Sequence, residues 1–83
     1  MTWNYRAIKE TSEGETNYQV YECYYDHKGA LEGWTEEPVY PQGETLAELR
    51  EDLEAMLHDV ESRPVLDMEE LRKRFPNKQE GAP

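Results

Sequence analysis

The side chains with most chemistry to offer in this 83-residue chain are its 19 Asp and Glu. Glu22, Asp26, Glu36 and Glu37 are of the type that grips a divalent cation for metal-assisted hydrolysis. Such a site needs two or more acids converging on one ion from rigid elements. Glu36 and Glu37 are instead neighbours just before Pro38, and adjacent side chains on an extended chain point apart. They read as solvated surface, the usual fate of glutamate. His27 lies in a turn signal between Asp26 and Lys28, and His58 follows Glu54 by one helical turn; neither forms a zinc spacing with Cys23. A Glu54–His58 pair is worth a few tenths of a kcal/mol to a helix. Cys23, alone in the middle of a strand pattern, reads as a small core residue, and no Ser-His-Asp or Cys-His arrangement emerges from the spacing. The chain is therefore expected to be non-enzymatic, with no catalytic residue, metal or cofactor.

Recognition is the chemistry that remains. Trp34 stands before the acidic run Thr35-Glu36-Glu37-Pro38. Buried, its ring would anchor a sheet against a helix; exposed, it would form an interaction hot spot with a charged rim. The charge pattern extends this surface. The net charge is −10, and residues 30–62 hold ten acids against one base, Arg50. The candidate partner-binding residues are Trp34, Glu36, Glu37, Glu48, Glu51 and Glu54. A phosphate backbone would be repelled, since nucleic-acid binding needs cations that neutralise phosphates. A basic protein would be steered toward the surface, although acidity also serves plain solubility. A second copy of the chain is the other partner expected, through an exposed sheet edge. Arg72-Lys73-Arg74, the one local basic patch, is expected to offset a helix dipole and pair with acids of the preceding helix.

The elements that must position these residues follow from periodicity. Leu, Ile, Val and Phe number only 13, but two Trp and six Tyr supply large apolar area, so a single small folded domain is expected. Residues 3–9 and 18–25 alternate as strands, with a polar turn over 11–17 between them. Asp26-His27-Lys28-Gly29 marks a tight turn and 30–35 a third strand, giving an antiparallel meander. Thr45 caps a helix with Glu48 completing a capping box. Leu46, Leu49, Leu53, Met56, Leu57 and Val60 form its apolar stripe, which needs the sheet to bury it. Pro64-Val65-Leu66 suits a short fourth strand at an edge. Asp67 opens a second, shorter helix with Met68, Leu71 and Phe75 as its stripe and Pro76 as its stop. The fold class is thus α+β, in the order β-β-β-α-β-α, with the main helix on one sheet face and the other left open. One cysteine, no apolar run of membrane length and no signal-peptide core point to the cytoplasm and exclude a membrane partner.

Two stretches carry a family likeness. Gln42-Gly43-Glu44-Thr45-Leu46-Ala47-Glu48-Leu49, after a meander, resembles the helix-entry motif of HicB-like antitoxins. That resemblance implies a partial RNase H-like fold of β-β-β-α-β order and a role in neutralising a small basic RNA-cleaving toxin. Pro38-Val39-Tyr40-Pro41 stands where that family usually has a Gly-Cys pair, and residues 63–83 cannot hold a helix-turn-helix. The implied module therefore binds a toxin-like protein without a DNA-binding part, as a HicB-like domain over 1–76 with a disordered tail over 77–83. Gly33-Trp34-Thr35-Glu36-Glu37-Pro38, Gly43-Glu44-Thr45, Asp52-Leu53-Glu54-Ala55-Met56-Leu57 and Pro64-Val65-Leu66-Asp67 look like a family of short uncharacterised bacterial proteins, a likeness that brings no activity. The function expected is a non-enzymatic protein-binding module. The alternative is a free-standing homodimer or small-ligand-binding domain unrelated to toxins.

Overall fold

The computed structural model describes residues 2–76 as β1 (Thr2–Ser12), β2 (Glu15–Tyr25), β3 (Leu31–Trp34), α1 (Leu46–Ser62), β4 (Leu66–Asp67) and α2 (Met68–Arg74). The α+β class and the β-β-β-α-β-α order are as expected. The expected tail over 77–83 lies outside the described residues. Strands run β3-β2-β1-β4 across the sheet, antiparallel except that β4 joins β1 in parallel through Ile8↔Leu66 and Lys9↔Asp67. A parallel pair needs a long crossover, and α1 provides it. Pro64 and Val65 precede β4 and do not belong to it.

The first hairpin is longer than the sequence pattern indicates. β1 and β2 pair from Thr2↔Tyr25 to Ser12↔Glu15, so the expected 11–17 turn shrinks to two residues. Glu13 at φ 52° and Gly14 at φ 83° make a doubly left-handed turn, whose twist matches that of a hairpin. Thr11 and Thr16 face each other with hydroxyls 3.0 Å apart, and threonine suits a strand however polar its surroundings. The second turn follows its signal. Asp26 Oδ1 accepts from the N–H groups of Lys28 (2.8 Å) and Ala30 (3.0 Å), and Gly29 takes φ 85°. β3 is one residue shorter at each end than the expected 30–35.

Alternation divides the side chains between two faces. Asn4, Arg6, Ile8, Tyr21, Cys23, Tyr25 and Trp34 share one, while Tyr5, Ala7, Val20, Glu22 and Tyr24 share the other. Each face has its own helix, which corrects the expectation of one open face. The tighter core lies under the shorter helix. Ile8, Tyr21, Cys23, Met68 and Leu71 form it, with Trp34, Leu66 and Phe75 packed around them. Asp67 caps α2 by accepting the Glu69 N–H at 2.9 Å. The basic end of α2 departs from expectation: Arg72 pairs with Glu10 of β1 at 2.9 Å, and Arg74 lies 5.3 Å from the Phe75 ring centre.

α1 begins as its sequence dictates. Thr45 Oγ1 accepts from Glu48 N–H (3.1 Å), and the Glu48 carboxylate accepts from Glu44 N–H (2.9 Å), one residue before the cap. The entering loop passes so close that a Cβ on Gly43 would fall 2.3 Å from the Leu49 nitrogen. Burial of the apolar stripe is where the expectation fails. Met56 alone is buried, while Leu46, Leu53 and Leu57 are 73%, 46% and 57% exposed. The line that turns to the sheet is Asp52–Met56–Asp59. Tyr5 donates its hydroxyl to Asp52 Oδ1 (2.5 Å) and its N–H to Asp59 Oδ2 (3.1 Å), and Gln42 N–H holds Asp52 Oδ2 at 2.9 Å. At ~100° per residue this line lies roughly 80° round the helix from the middle of the stripe. Leu49 and Val60, on the near flank of the stripe, are half-buried, and Leu46, Leu53 and Leu57 face outward.

Candidate functional site

The six residues singled out from sequence do not form one surface. Trp34 pairs with Cys23 and so points to the α2 face, where its ring meets Phe75 edge-on at 5.6 Å. It is half-buried there, between the buried and the exposed readings, with Phe75, the C-cap residue of α2, beside it. Glu36 and Glu37 form an exposed bend between two attachments to β2, Thr35 N–H to Glu22 O and Val39 N–H to Val20 O, both close to 2.9 Å. They project at the β3 side of the sheet. α1 lies over β1, two strands away. Glu48 is engaged in the helix cap, and Glu51 and Glu54 line an open depression with Ala47 and Arg50. Among the described residues no group of three or more His, Cys, Asp or Glu is placed to hold a metal ion. None of the helices described is long and apolar enough to cross a membrane.

What the fold does expose is the outer side of α1. Leu46, Leu53 and Leu57 succeed one another along it at spacings of seven and four, which places them on one line. Glu54 and Glu61 flank Leu57 at i−3 and i+4, and Arg50 stands between Leu46 and Leu53. The result is an apolar ridge beside an acidic row with a single cation. These leucines read from sequence as core. No spacing signal separates them from core: Asp52 and Asp59 on one flank of the stripe, and Glu54 and Glu61 on the other, are each two acids seven residues apart, and only the contacts of Tyr5 show which flank meets the sheet.

Three groups are held neutral by their surroundings. Burial lifts the Tyr5 phenol well above its ordinary range, with the hydrogen bond to Asp52 adding to it. Tyr24 is pushed up to about 12, chiefly because it donates to the Glu22 carboxylate at 2.7 Å. Burial pushes the Cys23 thiol up to about 11, with the Arg6 charge pulling the other way, so this thiol is a poor nucleophile at neutral pH. All three folded values exceed the ordinary ones, 9.0 for the thiol and 10.0 for the phenols. The stability they contribute is complete below those ordinary values and is lost as pH climbs toward the folded ones. Urea midpoints are therefore expected to fall between about pH 9 and 12, and Tyr24→Phe should flatten part of that fall. A midpoint that holds constant across the interval in both proteins would contradict the burial and bonding described.

Comparison with protein-family models, with curated proteins and with solved structures gives no match for this chain.

Proposed function

We propose that this protein is a non-enzymatic docking module that holds a basic protein on the outer side of α1. The reading is of the kind the HicB-like resemblance implies: capture of a small, cationic, toxin-like protein. One observation carries it, the exposure of Leu46, Leu53 and Leu57 on a helix that reaches its own sheet through Asp52, Met56 and Asp59. A ridge of three leucines on a small acidic domain is costly to leave in water, since burying a leucine is worth about 1.5–3 kcal/mol. The occupant that fits is a segment with apolar anchors and Lys or Arg beside them. Apolar contact supplies affinity, and the −9 charge of residues 30–62 supplies orientation and a fast approach. A second copy would set the same acidic segment against itself, so charge favours the basic partner over the homodimer.

The test uses affinity capture from a native lysate in parallel on the wild-type chain and on Leu53→Ser/Leu57→Ser. The expected result is a protein of high isoelectric point retained by the wild type at low salt, released at high salt, and lost by at least tenfold on the variant. Equal retention on both baits, or no basic protein on either, would overturn the reading. Sedimentation of the wild type separates the alternative: a concentration-dependent dimer that the double variant abolishes assigns the ridge to self-association.

A further inference from the structure

Arg6 is held by neutral oxygens in a chain rich in carboxylates. Its guanidinium is locked by three hydrogen bonds, and every acceptor is neutral: Nε and Nη2 donate to the Pro64 carbonyl (3.2 and 2.7 Å), and Nη1 donates to the Tyr25 hydroxyl (3.0 Å). That hydroxyl donates in turn to Asn4 Oδ1 at 2.8 Å, which fixes the ring. Among the described residues no carboxylate forms an ion pair with Arg6, as is also true of Lys28, Arg50, Lys73 and Arg74; Arg6 differs from these in that neutral oxygens hold its guanidinium in place. Arg6 also lines a cleft at the rim of the sheet with Trp3, Asn4, Tyr25, Gly29 and Arg63. Asp59 takes the Arg63 Nε at 3.2 Å and the Tyr5 N–H at 3.1 Å, so the Arg63 charge is partly compensated. Two guanidiniums line the cleft, and no Asp or Glu is among its lining residues. Half of the Nη protons of Arg6 remain unused, and Trp3, whose ring packs against Tyr5 on the other face of the sheet, borders the cleft at the strand edge.

The geometry points to an oxyanion site in this cleft, for a carboxylate or a phosphate, with Arg6 as the principal ligand and Arg63 as the second. A guanidinium already fixed in place loses little freedom on binding, and its fork matches either anion. The acidic remainder of the molecule keeps most anions at a distance, so selection rests on contact within the cleft and not on long-range attraction. The site is independent of the leucine ridge on α1.

Proton–nitrogen correlation spectra of the full chain, titrated with inorganic phosphate and separately with acetate, test it against sodium chloride at matched ionic strength. The expected result is saturable movement of the Arg6 Nε–H and the Gly29 backbone N–H for at least one anion, and the one that saturates identifies the class. Arg6→Gln should weaken binding at least tenfold and Arg63→Gln several-fold, while Leu53→Ser/Leu57→Ser leaves it unchanged. No movement beyond the chloride control, or equal affinity in the wild type and Arg6→Gln, overturns the site. If Arg6→Gln does not fold, Arg63→Gln decides: unaltered affinity overturns the proposal and weakened affinity supports it.

Discussion

Leu71→Ala is expected to lower the unfolding free energy by about 2–5 kcal/mol, and Leu57→Ala by less than about 0.5 kcal/mol, although both remove the same atoms from a helix. Leu71 is 2% exposed and lies among Ile8, Cys23 and Met68, so its loss leaves a cavity that the sheet cannot collapse to fill. Leu57 is 57% exposed, and alanine is an equally good helix former. A domain of this size holds only about 5 kcal/mol in reserve, so Leu71→Ala should be partly unfolded at room temperature. Urea titration followed by tryptophan fluorescence measures both. Trp34 reports on the α2 side through its contact with Phe75. Similar losses for the two variants would mean that Leu57 is packed as firmly as Leu71, against the exposure described.

Asp59→Ala carries the second large effect, in stability and in association state together. One carboxylate accepts the Tyr5 N–H and the Arg63 Nε–H. The Tyr5 N–H lies on the side of β1 turned away from β2, where β4 reaches only Ile8 and Lys9. Asp59 thus occupies one N–H of the edge that β4 leaves uncovered. Alanine strands a part-buried donor, at a cost of about 1–3 kcal/mol, and bares an edge able to recruit another chain. The variant should melt earlier and sediment as larger species as its concentration rises. Asp59→Asn keeps an acceptor oxygen and should fall between it and the wild type. An Asp59→Ala chain that stays monomeric at every concentration would show that the edge is protected by something other than this side chain.

The architecture was legible because its signals were local. Alternation over 18–25, the Asp26–Gly29 turn, and the Thr45 and Asp67 caps each act within a few residues, and each forms where its residues place it. What the sequence concealed depends on contacts between distant residues. Nothing in Leu53 or Leu57 tells that Tyr5, some fifty positions earlier, draws the neighbouring aspartates inward. Trp34 was ambiguous for the same reason: Phe75, forty-one positions later, decides its surroundings. Glu36 and Glu37 were legible as surface, but their distance from α1 follows from the strand order β3-β2-β1, which no short spacing encodes.

The placement of α2 at the end of the described chain has a consequence for biosynthesis. The β1–β2 hairpin contains only near neighbours and can close within microseconds of leaving the ribosome. Its apolar side, with Ile8, Tyr21 and Cys23, then stays uncovered while some fifty more residues are added, an interval of several seconds at about 5–20 residues per second. A nascent chain that stalls before Phe75 emerges carries this sheet face without Met68, Leu71 and Phe75 to cover it.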